Sequence, residues 1–438
     1  MAPQLDPVQT DQHPPRRADV VVIGGGIAGV GTALSLAEKG VSVALVEKGR
    51  IAGEQSSRNW GWCRTMGRDL SEVPLALESV RLWDRMAERV GGDVGFRRAG
   101  VIYLCEGRRE LAGHEAWLER AREYQLDSRV IGPDEVDRLL PGSSRRWPGA
   151  LYTPSDGRAE PRRAVPMMAA AARRLGAAVV TGCAARGLET RAGRVAGVVT
   201  ERGTVECDAA VLAGGAWSRL FCGNLGIEFA QLKVLGSVLR TEPLGGLPDH
   251  AVGASDFAFR KRQDGGYTVA RRNAMQAEIV PDSFRLFTSF APAMVKQWHE
   301  LRLRVGRRFV EEWRIPRRWA LDRPGPFEAV RVLDPAPSRR NLDEGCANLI
   351  RAFPAFAAMK VAERWAGLVD VTPDAVPVIS PVAALPGFYL SSGFSGHGFG
   401  IGPGAGRLMA DLVTGDTPIV DPAPFRFERF AKPARKAA

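Results

Sequence analysis

"ADVVVIGGGIAGVGTALSLAEKGVSVALVEKG", Ala18 to Gly49, decides the architecture of this chain. Asp19 to Ile23 reads as a strand with a continuous apolar run, the pattern of a parallel strand buried on both faces. Glycines follow at 24, 26 and 29, then a stretch of helical periodicity, then a second apolar run at Val41 to Val46. Strand, glycine turn, helix and strand make a βαβ unit, and such units build parallel sheets. The first glycine permits the tight turn, the second lets backbone approach a pyrophosphate, and the third lets the helix pack on the strand. The helix N-terminus offers free N–H groups to the phosphates. Glu47 ends the second strand eighteen residues after Gly29, where an acid accepts from ribose hydroxyls. Ile27, Ala28 and Lys48 belong to the same nucleotide signature. An acid at that place, rather than an arginine, disfavours a 2′-phosphate.

The other glycine-rich stretches lie far away. "CDAAVLAGGAWS" reads as a strand ending in Gly214 and Gly215, and "SGFSGHGFGIGPGAGRLMADLV" runs from Ser392 into an amphipathic helix. Between them, residues 226 to 350 change style, with short strands and Gly/Asp turns such as "RKRQDGGYTV". Parallel-sheet style thus appears in three pieces, interrupted twice. This predicts an α/β fold of two interleaved units. A Rossmann-like nucleotide domain takes 18–92 with 156–225 and 355–425, and a mixed or antiparallel substrate domain takes 93–155 with 226–354. Residues 1–17 read as a disordered lead-in and 426–438 as a tail.

Composition narrows the function. The chain has 438 residues, 45% hydrophobic and 25% charged, ordinary for a globular protein. No run of some eighteen uncharged apolar residues marks a spanning helix. The Arg16–Arg17 pair lacks the apolar stretch of an export signal, so a cytoplasmic protein is expected. Six scattered cysteines form no C-x-x-C and no metal spacing with histidine, so no metal site is expected. The net charge of +11 draws on "WHELRLRVGRRFVEEWRIPRRWALD", residues 298–322. Glu and Trp interleave with its arginines, which favours a solvated helix face over nucleic-acid binding. A positive field that draws in anionic substrates is a second reading.

The motif set resembles the D-amino acid oxidase, glycine oxidase and sarcosine oxidase superfamily of flavoproteins. The matching stretches are the opening βαβ unit, "DGRAEPRRAVPMMAAAARRLGAAVV", "DAAVLAGGAWS", "WAGLVDVTPDAVPVI" and "PGFYLSSGFSGHGFGIGPGAGRLMADLV", in family order and over nearly the whole chain. The resemblance implies FAD and an oxidase or dehydrogenase acting on C–N bonds. Ser56 and Ser57 are placed near the pyrophosphate or ring, Ala185 near the adenine, and Gly214, Gly215 and Trp217 near the dinucleotide. Gly367 would line the ring. Gly396, His397, Gly398, Phe399 and Gly400 would pass along its pyrimidine side, where glycines allow close approach. His397 would add a donor or a positive charge to the reduced ring. Proton handling and a structural turn bond are its other readings.

Some family features are missing. No arginine follows Trp365-Ala366-Gly367-Leu368, where glycine oxidases and D-amino acid dehydrogenases hold the substrate carboxylate. The G-x-x-D-x-T-P-D form is similar to sarcosine oxidase beta subunits. No cysteine follows Cys346 and no histidine lies near Glu47–Arg68, so FAD is expected to be non-covalent. A carboxylate anchor must come from elsewhere. "SSRNWGWCRTMGRD" offers Arg58, Arg64 and Arg68 beside Trp60 and Trp62, and "GGYTVARRN" offers Tyr267, Arg271 and Arg272. Arg64, Tyr267, Arg271 and His397 are the expected catalytic set. Together these residues point to an anionic amine or amino acid as the small-molecule partner. The expected reaction is hydride transfer to flavin N5 from a secondary amine, such as an N-substituted glycine, an iminodiacetate-like compound or a cyclic imino acid. Imine hydrolysis follows, and O2 or a carrier takes the electrons. A D-amino acid or hydroxyproline dehydrogenase and a flavin subunit of a larger redox complex remain alternatives, and self-association stays open.

Overall fold

The computed structural model describes residues 3–297 and 301–430. The glycine-turn unit forms as its pattern requires. Val20–Ile23 pairs in parallel with Val43–Val46, and the helix Ile27–Glu38 packs over them. They belong to a six-stranded sheet ordered Val378–Pro381, Phe388–Ser392, Ala209–Leu212, Val20–Ile23, Val43–Val46 and Ala178–Val180. Every neighbouring pair is parallel except the antiparallel edge strand Val378–Pro381. The chain therefore enters this sheet from three separate regions. A three-stranded antiparallel sheet (Ala185–Arg191, Arg194–Thr200, Gly203–Glu206) flanks it.

A ten-stranded mixed sheet forms the second layer. Its strands include Val101–Leu104, Arg129–Ile131 and Ala150–Thr153, and five more between Leu232 and Ile279. The fold is α/β, with a Rossmann-like unit interleaved with a mixed-sheet unit. One assignment shifts. Val361–Val371, expected with the nucleotide domain, pairs along nearly its whole length with Leu232–Thr241 of the large sheet. Its register sets Gly236 opposite Gly367 and Lys233 opposite Asp370. The strand runs from one unit into the other, so a linear boundary at 355 cuts through a ladder.

Other expectations are corrected. The lead-in is not disordered where it is described: Asp11 bridges to Val180, its carboxylate meets Arg173 at 2.8 Å, and Arg17 bridges to Glu206. In the tail, Arg429 meets Asp374 at 2.8 Å, while residues 431–438 lie outside the described residues. The Arg-rich stretch is not one helix. Residues 298–300 lie outside the described residues, Leu301–Val305 is a strand parallel to Met275–Ile279, and only Arg308–Arg314 is helical. Leu-Arg-Leu-Arg-Val alternates with period two, and Pro316 stops the short helix.

Helix Ile27–Glu38 crosses the last helix, Gly398–Thr414, through glycines. A Cβ on Gly406 would lie 2.3 Å from the Gly31 carbonyl carbon. The two units are also joined by a buried ion pair. Arg260 of the large sheet donates to Glu160 at 2.6 and 3.2 Å, and Arg260 Nε donates to the Trp60 carbonyl at 2.5 Å. Burial raises the Glu160 carboxyl, but Arg260 outweighs it and holds it down at about 2. A depressed carboxylate stabilises the fold above its ordinary value of 4.5, and that stability is lost as pH falls toward 2. Glu160→Gln is expected to cost about 3–5 kcal/mol at neutral pH, because it strands a buried guanidinium. Urea midpoints should show this loss, and a shallower fall on acidification than in the parent.

Candidate active site

The glycine turn opens onto a slot between the six-stranded sheet and the segment after Glu47. Gly24 has φ +117°, and a Cβ there would lie 2.4 Å from the Ala213 carbonyl oxygen, so only glycine suits the turn. Gly24, Gly26, Glu47, Lys48 and Ser56 line it together with Ala185, Gly214, Gly215 and Trp217. Glu47 accepts from the Gly25 and Gly49 amides, each at 2.7 Å. Burial pushes its carboxyl up, against the pull of Lys48 and those amides. Ser56 Oγ accepts from Ile27 N–H at 2.8 Å. Ala28 and Gly29 lie in the first helical turn behind Gly26, and Ser57 turns away to donate to the Glu54 carbonyl at 3.2 Å.

Whether this slot suits FAD is tested by its unused groups. Ser56 takes the Ile27 amide, but no described side chain accepts from the Ala28 or Gly29 amides, so these two first-turn donors are available to an anion. Gln55 Oε1, on the slot wall, is buried without a donor. A Cβ on Gly367 would lie 2.0 Å from that oxygen, so this glycine keeps the wall open. The residues fit a dinucleotide with a donor-bearing ring.

Sequence reasoning missed several members. Glu54 accepts from Trp217 Nε1 at 3.1 Å, Lys48 Nζ at 2.7 Å and Leu333 N–H at 3.1 Å, which ties three separate chain segments together at the slot. Nothing near Glu54 in the sequence marks it. Asp370 lines the slot and accepts from Gly393 N–H at 2.7 Å and from Gln231 at 3.2 Å, so it ties the glycine loop to the slot. Its signal was the aspartate of the G-x-x-D form, which carried no role.

The loop itself is braced from behind. Gly396 has φ +85°. The Gly400 carbonyl accepts from Ser79 at 2.8 Å and Trp83 at 2.9 Å, and the Phe399 ring packs 5.1 Å from Trp83. Gly398 opens the last helix. His397 Nδ1 lies 3.1 Å from Glu72.

The expected substrate residues separate into two groups. Arg58 is buried and spent on Asp334 at 2.9 Å and the Ala366 carbonyl at 2.7 Å. Arg68 is also buried, and desolvation lowers it to about 10. Tyr267 is corrected: it is a core residue whose hydroxyl donates to the Pro248 carbonyl at 3.1 Å, among Phe259 and Phe356. Arg271 is corrected too, since it turns outward to Glu344. Its neighbour Arg272 points the other way, in the bend that follows strand Tyr267–Ala270 and contains Asn273 at φ +51°. The Arg272 guanidinium lies 4.0 Å from the Tyr103 ring centre, and Arg64 lies 5.5 Å from the same centre. Trp62 is 6.0 Å from Tyr103, and Trp60 packs edge-on to Trp62. Among the described residues, no carboxylate forms an ion pair with Arg64 or Arg272. Two half-buried guanidinia around one aromatic ring make an anion-accepting face.

Among the described residues, no helix is long and apolar enough to cross a membrane. The family model for FAD dependent oxidoreductases (DAO) matches residues 19–412. An L-amino acid deaminase from Proteus myxofaciens, solved in complex with anthranilate, is 34% identical. It superimposes with a TM-score of 0.95 over 98% of this chain and 97% of that one. The beta subunit of sarcosine oxidase from an Arthrobacter species is 26% identical, over 95% of this chain and 92% of its own length. A glycine oxidase from Pseudomonas putida is 28% identical, over 93% and 97%. The dinucleotide slot, the braced glycine loop and these similarities have one conclusion: the chain belongs to the DAO family of FAD-dependent oxidoreductases, as an enzyme acting on amino acids or amines.

Proposed function

We propose that the protein oxidises the Cα–N bond of an α-amino acid whose carboxylate is held by Arg64 and Arg272 around Tyr103. The observation that carries this reading is the pair of half-buried guanidinia without carboxylate partners. Bound FAD supplies the two-electron acceptor. Gly24, Gly26, Glu47 and the helix at Gly26 hold its dinucleotide, and Gln55, Gly367 and Asp370 bound the ring end. The protein orients the amino acid and excludes water, and the imine product hydrolyses in solvent. FAD is held without a covalent bond on this reading, since no cysteine follows Cys346 and no histidine lies between Glu47 and Arg68 to attach it. Denaturation in acid should release the yellow colour completely.

Primary L-amino acids are the first substrates to test, on the 34% identity with an L-amino acid deaminase. The second reading is a secondary amine, such as an N-substituted glycine, an iminodiacetate-like compound or a cyclic imino acid. The likeness to sarcosine oxidase beta and the absence of an arginine after Leu368 support it. Anaerobic titration of the purified holoprotein separates the readings. L-amino acids that bleach the flavin establish the first. Bleaching by sarcosine, iminodiacetate or proline alone establishes the second. Bleaching by D-amino acids alone overturns both. Re-oxidation of the bleached protein by air, or only by an added quinone, then identifies the acceptor.

A further inference from the structure

His397 stands at the N-cap of the last helix, and its Nδ1 lies 3.1 Å from Glu72 Oε2. Glu72 is fully buried at the end of the turn Leu70–Glu72. Its Oε2 is 3.9 Å from Arg68 NH1, and its Oε1 has no donor. The charged groups facing the pair are Arg68 and Arg64, and Tyr103 and Asp156 act in turn on Arg68. Burial pushes the Glu72 carboxyl up, but His397, Arg68 and Arg64 outweigh it and hold it below its ordinary range. Burial and then Arg68 push His397 down, against the pull of Glu72. At neutral pH the pair is a carboxylate beside a neutral imidazole.

An ionised carboxylate only accepts hydrogen bonds, so the proton of the neutral ring must sit on Nδ1. Nε2 then carries a lone pair. The His397 side chain is 25% exposed, and no described residue bonds its Nε2. We propose that Glu72 is a positioning residue that fixes His397 as the Nδ1–H tautomer, so that Nε2 accepts from an N–H group of the bound substrate or cofactor. This rests on the reading of the loop as part of the active site. It reverses the electrostatic role expected for His397, which was a donor or a cation toward the ring. Glu72 orients an acceptor instead, in the way that a carboxylate orients a catalytic or metal-bound imidazole.

The test is long-range proton–nitrogen NMR of ring-labelled histidine in the holoprotein, which has five histidines. At neutral pH, His397 is expected to show a protonated Nδ1 and an unprotonated Nε2. His397→Asn assigns the signal. If that variant does not fold, replacing the other histidines one at a time assigns it by elimination. Glu72→Gln is expected to lose the single tautomer, because a carboxamide donates as well as accepts. In that variant, a substrate source of the N–H shows as anaerobic flavin reduction slowed about 10-fold with an altered pH profile, while the resting spectrum is unchanged. A cofactor source shows as a displaced resting flavin spectrum before any amine is added. A wild-type His397 that is protonated on Nε2, or on both nitrogens, overturns the proposal. So does a Glu72→Gln enzyme identical to wild type in signal, spectrum and rate. The NMR result needs no substrate, so failure of the amine panel leaves it standing on its own.

Discussion

Gly29→Ala is expected to yield a folded protein that purifies without FAD. A methyl at this position would lie 2.0 Å from the Gly24 carbonyl oxygen and 3.1 Å from its carbon. The obstacle is backbone, so no side chain can swing aside. Relief requires the first turn of helix Ile27–Glu38 to lift from strand Val20–Ile23, which displaces the Ala28 and Gly29 amides and the Ile27–Ser56 bond beside the slot. It also strains the far contact of the same helix, where Gly31 and Gly406 leave no slack. Affinity for FAD should fall by about 100-fold or more, some 2.8 kcal/mol. Flavin absorbance relative to protein, and fluorescence titration of the apoprotein, give the number, and circular dichroism checks the fold. Retention of full FAD loading would mean that the helix–strand contact relaxes freely.

Arg64→Ala and Arg272→Ala should each weaken amino acid binding by about 10- to 100-fold, the worth of a charge-assisted hydrogen bond of about 1.5–3 kcal/mol. Flavin content and melting temperature should stay near those of the parent, because neither guanidinium closes an ion pair within the described protein. Arg272→Lys should rescue little, since an ammonium lacks both the planar fork and the stacking on Tyr103. Arg58→Ala is the contrast. That side chain is 1% exposed and bonds Asp334, the Ala366 carbonyl and the Gly53 carbonyl, so its loss should lower stability instead. The readout is the dissociation constant from the dependence of flavin bleaching on amino acid concentration. Unchanged constants in both alanine variants would place the carboxylate elsewhere.

The nucleotide signature was legible in the sequence because its determinants are local. Apolar runs, glycine backbone freedom and the distance to Glu47 all act within some thirty residues, and the structure sets Gly24, Gly26 and Glu47 together along the slot. The interleaving of two units was legible for a similar reason, since each return to the parallel sheet repeats the same apolar pattern. The alternating Leu301–Val305 run was equally local, and reading it as helix missed a period of two. Tertiary structure alone decided the rest. Glu54 bonds Trp217 and Leu333, and Glu72 meets His397 across 325 positions. Arg272 rather than Arg271 stacks on Tyr103, because the bend after Ala270 decides which of two adjacent arginines faces inward. Charge and aromaticity are written in the sequence. Which charges stay unpaired, and which nitrogen of an imidazole is free, depends on partners that only folding brings within hydrogen-bond distance.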